Sequence, residues 1–164
     1  FTMLKNQVPG YLTAIGTQSS AATIPVNVEC AEKNGVSKQI REFVVPLCAT
    51  IHLSGSMISI TCFTTAVLMM NNMPHNPGDI FPFIAMLGLA MVAAPGAPGG
   101  AIMSALPFLP MVGIPSEGGL ASLMIALYLT QDSFGTACNV SGDNAIAVIV
   151  DRINDKLFKN KKEA

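Results

Sequence analysis

The alternation of apolar and polar positions divides the chain into four apolar segments, and none of them is a plain run of twenty residues. Residues 42 to 71 are long enough to cross a bilayer but are interrupted by His52, Ser54, Gly55 and Ser56. The interruption predicts two half-helices joined by unwound backbone. Residues 80 to 113 place about thirteen apolar residues on either side of "APGAPGG", and a helix of that length covers only ~20 Å of a ~30 Å hydrocarbon core. A Pro/Gly-rich tip at membrane depth leaves carbonyls unpaired unless it is buried in protein or lines an aqueous cavity, so this segment reads as a re-entrant helical hairpin. Residues 10 to 31 repeat the arrangement with short apolar arms around Ser19, Ser20, Ala21, Ala22 and Thr23.

The expected order is a re-entrant hairpin (1–33), an interrupted transmembrane helix (39–71), a second re-entrant hairpin (80–113) and a last transmembrane helix with a cytoplasmic tail (118–157). The fold class is therefore an all-α membrane protein. Hairpin plus helix occurs twice, which is the trace of an internal repeat. Discontinuous helices in matching positions of two repeats point to a transporter binding site near the bilayer midplane.

Composition agrees with this solvent. Hydrophobic residues make up 51% and charged residues 12%, against roughly 25% charged in an ordinary soluble domain, and the mean hydropathy is +0.51. The nine Lys and Arg are Lys5, Lys33, Lys38, Arg41, Arg152, Lys156, Lys159, Lys161 and Lys162, so residues 42 to 151 contain none. In the topology above all nine fall on one side, which the positive-inside rule makes cytoplasmic. The expected location is a cell membrane (inner or plasma), multi-pass, with the C-terminus cytoplasmic and the lipid bilayer as a partner. The formal net charge of -1 comes from clustered bases and scattered acids, and no nucleic-acid surface is indicated. Cys30, Cys48, Cys62 and Cys138 follow no metal-ligand spacing and read as structural. The start at Phe1 has neither the basic flank nor the apolar core of a signal peptide, and the chain is read as the C-terminal part of a longer protein.

Candidate chemistry sits on the last helix. At about 100° per residue, Asp132, Thr136, Asn139 and Asp143 fall at roughly 0°, 40°, 340° and 20°, one narrow polar stripe. Ionisable groups at membrane depth are costly and mark substrate or ion pathways. No Lys or Arg near in sequence neutralises either carboxylate, so either absent helices supply a base or the cation arrives from outside. A bound Na⁺ and a substrate ammonium group would each suit one carboxylate. An aspartyl-protease dyad is excluded, because such a pair shares a proton across two helices at close range, whereas eleven residues along one helix separate these acids by ~16 Å. An enzyme is not expected. A channel or purely structural subunit fits Asp132 poorly.

Four motifs in order, "TQSSAATIPV", "VPLCATIHLSGS", "APGAPGGAIM" and "QDSFGTACNVSGD", resemble the transport core of the dicarboxylate/amino acid:cation (sodium) symporter family, which includes the glutamate transporters and bacterial neutral amino acid transporters. The resemblance covers nearly the whole chain. It implies a glutamate-transporter-like inverted-repeat transport core, alternating access and a homotrimer. It also implies a substrate site of Ser20, Ser56, Ala97, Gly99, Asp132, Gly135, Thr136 and Asn139, with residues 97 to 100 as a gate. Asp132 would take the substrate ammonium, and Thr136 and Asn139 its carboxylate. One Na⁺ would sit on Asp143 with main-chain oxygens of Cys48, His52 and Asn139, and another between the Thr50 region and the carbonyls of Met91, Val92 and Ala94.

Two departures from the family pattern bear on substrate. Gly135 and Gln18 stand where members that carry acidic substrates have Arg, so no partner for a side-chain carboxylate is present. The expectation is sodium-coupled uptake of a neutral amino acid resembling serine, threonine or alanine; the alternative is sodium- or proton-coupled transport of an acidic amino acid or dicarboxylate, with the missing Arg supplied elsewhere. His52, in the unwound segment, reads either as a neutral imidazole satisfying freed backbone or as a proton-coupling group. The ten Met read as adaptable packing.

Overall fold

A computed structural model describes residues 1–159 of the chain and is helical throughout, with no strand among the described residues. Helices α1 (Thr2–Thr17) and α2 (Ser20–Lys33) form an antiparallel pair. Their open end is tied by Asn6, whose Nδ2 donates to Lys33 O and Asn34 Oδ1, both at 2.9 Å. The tip is shorter than the polar run suggests. Gln18 takes a left-handed conformation (φ 52°) and Ser19 caps α2, its Oγ accepting from Ala22 N–H at 3.2 Å. Ser20, Ala21, Ala22 and Thr23 therefore form the first turn of a helix rather than an open loop, as a side-chain N-cap permits.

Helix α3 (Lys38–Ile51) and helix α4 (Ser54–Met70) are separated by His52 and Leu53 alone. Ser54, Gly55 and Ser56, expected in the interruption, already belong to α4. Taken together, Lys38–Met70 is the one helical stretch among the described residues that is long and apolar enough to cross a membrane. Helix α5 (Pro77–Val92) starts at a proline, leads to an irregular tip, and is followed by the short α6 (Gly100–Ala105) and a 3₁₀ segment, Leu106–Val112. Pro107 and Pro110 lack the N–H donors that an α-helix would need there. Helix α7 (Gly119–Asn154) has 36 residues, which gives it the length to span a bilayer. A π-helical turn, Asp155–Lys159, follows. The rest of the expected cytoplasmic tail, 160–164, lies outside the described residues.

Two large apolar clusters hold the bundle, with a smaller one of Ala14, Ala137 and Val140 between α1 and α7. One joins α4, α5, α6, the 3₁₀ segment and α7 around Ile60, Phe83, Leu87, Ile102, Leu109, Met124 and Tyr128. The other joins the end of α2, α3 and the C-terminal half of α7 around Ala31, Val45, Cys48, Ala147 and Val148. Helix α7 runs through both, and the buried polar residues of its middle turns lie between them. Basic residues gather at one end. The start of α1 meets the end of α2, and the start of α3 meets the end of α7 where Ser37 donates to Asp151, so Lys5, Lys33, Lys38, Arg41 and Arg152 share that end of the bundle. At the other end the turn after α4, the start of α5 and the end of the 3₁₀ segment converge on Met73, Asp79 and Gly113, with no Lys or Arg. Large apolar side chains such as Leu12, Phe43, Ile58, Phe81, Leu89, Phe134 and Ile149 remain exposed, a surface suited to lipid or to further protein rather than water.

Candidate functional site

Three breaks in helical structure meet against the middle of α7. The tip between α5 and α6 is drawn onto the α1–α2 tip through one atom, the carbonyl oxygen of Gly96. It accepts from Ser19 Oγ at 2.8 Å and from Ala21 N–H at 3.1 Å. Gly96 also lies against the carbonyl of Ala49 near the end of α3, so closely that a Cβ would collide with it. Three residues later Gly99, in the left-handed region at φ 72°, donates its N–H to Asp132 Oδ2 at 2.8 Å.

On α7 the stripe is buried. Asp132 is 3% exposed and Asp143 0%, with Thr136 and Asn139 equally enclosed. Thr136 Oγ1 donates to Asp132 Oδ1 at 3.3 Å. Between the two tips, the break and the stripe lies a narrow pocket with room for little more than a water molecule. Ser20, Ser56, Ala97, Asp132, Thr136 and Asn139 line it, together with Gln18, Leu53 and Gly96. Gly99 reaches it through Asp132. Gly135 does not line it: its carbonyl packs against Gly55 of α4, where a Cβ on Gly55 would also lie 2.6 Å from Cys138 Cβ. The missing Cβ of Gly55 lets α4 and α7 approach closely, whereas a Cβ on Gly135 would meet only ordinary contacts.

The break is completed by Asn139. Its Oδ1 accepts from the N–H groups of Gly55 (2.7 Å) and Ser56 (3.3 Å), donors that the first turn of α4 leaves free, and its Nδ2 donates to Ser56 Oγ at 2.9 Å. One turn further along α7, Asp143 faces the same break from below. His52 Nδ1 lies 2.8 Å from Asp143 Oδ1, while Oδ2 is buried with no hydrogen-bond partner. A carboxylate oxygen buried without a donor, beside a helix end where carbonyls past Cys48 lose their intrahelical donors, is the donor chemistry a hard cation such as Na⁺ takes. Of the expected main-chain ligands, Cys48 O accepts from His52 N–H at 2.8 Å.

The second expected cation site spans two neighbouring elements. Thr50 is exposed on α3, with Oγ1 turned back to Leu47 O at 2.8 Å. Met91 and Ala94 are buried and Val92 exposed at the end of α5, where Met91 O accepts from Ala94 N–H at 3.3 Å. Gly96 against Ala49 joins the two elements.

Two contributors escaped the reading of the stripe. Gln18 crosses from the first tip to α7, donating from Nε2 to Ser133 Oγ at 2.9 Å; its place just before the serine pair was the available signal. The His52 ring on Asp143 had none, because 91 residues separate the partners.

Comparison with known proteins places this arrangement. The sequence matches the sodium:dicarboxylate symporter family over residues 1–153. It is 30% identical over 164 residues to the neutral amino acid transporter A of Bos taurus, covering 99% of this chain and 31% of that protein. It is 33% identical over 151 residues to the excitatory amino acid transporter 1 of Rattus norvegicus, covering 92% of this chain and 27% of that protein. The chain thus spans about a third of the length of the curated relatives it matches. With a family match over nearly its whole length, the chain belongs to the sodium:dicarboxylate symporter family.

Proposed function

We propose that the chain forms the substrate-binding core of a membrane symporter that couples sodium entry to uptake of a neutral amino acid of the serine, threonine or alanine type. The observation that carries this reading is Asp132, a buried carboxylate in a cavity that no Lys or Arg lines. A substrate ammonium supplies the missing cation by displacing the Gly99 N–H, which now occupies Oδ2. The α-carboxylate then finds the Thr136 hydroxyl, the Asn139 amide and the first turn of α2 at Ser20, whose helix N-terminus favours an anion. Asp143 Oδ2 takes Na⁺ with carbonyls of the break. Since Gly99 bonds to Asp132 and Gly96 holds the other tip, substrate entry requires the α5–α6 tip to lift, so this tip acts as the gate. Both hairpins then dip into the bilayer without crossing it, and the basic end of the bundle faces the cytoplasm.

An acidic substrate would bring a second carboxylate to a cavity with no base to receive it. Uptake by the intact protein in liposomes tests this, with serine, threonine, alanine, aspartate, glutamate and succinate competing in the presence and absence of an inward sodium gradient. Neutral amino acids should saturate uptake and the gradient should drive it. Aspartate outcompeting serine and alanine, or uptake indifferent to sodium, would overturn the reading.

A further inference from the structure

The imidazole of His52 is fixed from two sides. The backbone N–H of this residue closes α3 on Cys48 O at 2.8 Å, and the chain then leaves the helix at φ −117° and ψ 87°, with the ring directed to α7. There Nδ1 meets Asp143 Oδ1 at 2.8 Å. The ring also lies against Gly142, where an added Cβ would stand 2.5 Å from Cε1 and within 3.5 Å of both ring nitrogens. A larger residue at 142 therefore displaces the ring. The contact divides the carboxylate: Oδ1 is held by His52, while Oδ2 is buried with no hydrogen-bond partner and is the oxygen left for a cation. The last torsion of an Asp side chain is broad and roughly two-fold, so a bond to one oxygen is what fixes the plane of the carboxylate.

We infer that the His52 side chain is a positioning residue for the coupling ion: its Nδ1–H occupies Oδ1 of Asp143 and leaves Oδ2 as the one carboxylate oxygen presented to Na⁺ at the break, with Gly142 providing room for the ring. The imidazole acts through Asp143 and is not itself a ligand. The inference rests on the symporter reading above. A neutral imidazole suits the task because it donates one hydrogen bond to a carboxylate without supplying a competing positive charge. A Lys or Arg reaching Asp143 would neutralise it and take the place of the sodium ion.

The test reads sodium affinity without substrate, from the rise of the melting temperature of the intact protein with sodium at constant ionic strength, choline replacing sodium. His52→Phe keeps a flat ring against Gly142 and removes the donor; sodium affinity should fall about tenfold, the low end of the effect of losing a partner of a metal ligand. His52→Asn, whose amide nitrogen can stand where Nδ1 stands, should stay within threefold of native. Gly142→Ala should lose affinity as His52→Phe does, although alanine favours the helix in which it sits. A loss of less than threefold in His52→Phe, or a gain, overturns the inference, most plainly if the melting temperature drops equally at every sodium concentration, the mark of a residue that only packs. So does a His52→Asn protein as weak as His52→Phe, or native affinity in Gly142→Ala. The native protein is the control: absence there of both a sodium-dependent rise and sodium-driven neutral amino acid uptake overturns the symporter reading and the inference together, whereas a native rise that His52→Phe leaves unaltered overturns the inference alone.

Discussion

Replacing Asp132 by Asn separates the charge of this side chain from its shape. The amide oxygen can still accept from Gly99 N–H, which lies 2.8 Å from Oδ2, so the closed cavity survives; the ammonium loses its counter-charge. Truncating one partner of a buried charge pair costs about 2–5 kcal/mol, which at about 1.4 kcal/mol per tenfold is a loss of about 30-fold to 4,000-fold in substrate affinity. Part is returned. A bond from Gly99 to a neutral acceptor is weaker than one to a carboxylate by about 1 kcal/mol, so opening becomes easier by about fivefold, and the net loss lies between about fivefold and several hundredfold. Sodium should lose no more than about fivefold. Asp143 lies eleven residues along the same helix, ~16 Å away, where removing a unit charge changes the interaction by about 1 kcal/mol at an effective dielectric of about 20. Substrate and sodium affinities of the native and Asp132→Asn proteins, measured by radioligand binding in proteoliposomes, give the comparison. Substrate affinity within twofold of native would refute the argument, and so would a sodium affinity that falls by more than about tenfold.

Asp143→Asn should raise the half-saturating sodium concentration at least about tenfold while leaving the order of preferred substrates unchanged, because the orphaned Oδ2 loses its charge but the cavity keeps its lining; sodium-dependence curves with two competing amino acids check this. Gly55→Ala should cost about 1–3 kcal/mol by forcing α4 away from Gly135 and Cys138, visible as a lowered melting temperature in detergent. Asn144→Ala should cost about 1–3 kcal/mol, since Asn144 Nδ2 donates to Gln7 Oε1 (2.6 Å) and Asn27 Oδ1 (2.8 Å) and ties α1 and α2 to α7. Faster amide exchange in α1 and α2 would report the loosening, and unchanged exchange would show that the triad contributes little.

What the sequence made legible was whatever repeats with the helical period or breaks it by composition. Asp132, Thr136, Asn139 and Asp143 could be placed on one face because 3.6 residues per turn needs no knowledge of neighbours. The tip at "APGAPGG" announced itself through prolines and glycines. Other features depend on partners distant in the chain. The interruption looked five residues wide from its polar residues, yet Asn139, 84 residues away, supplies an acceptor to Gly55 N–H and lets α4 begin at Ser54. Gly55 looked like part of the interruption; only its partners across the gap, the Gly135 carbonyl and Cys138, show that its missing Cβ is what lets α7 come close. Gln18 in a left-handed turn carries no glycine to flag it.

The contact at Gly96 has a consequence for how such a protein diversifies. The atom that receives both Ser19 Oγ and Ala21 N–H is a peptide oxygen, and the group that Gly99 offers to Asp132 is a peptide N–H. Apart from the hydroxyl of Ser19 and the carboxylate of Asp132, the closing contacts are main chain, which no substitution but proline deletes so long as Gly96 keeps its lack of a Cβ against Ala49 and Gly99 its left-handed φ. Residues that line the pocket by side chain, such as Gln18, can therefore change while the contact between the two tips keeps the same fit, and lining and closure can evolve on separate clocks.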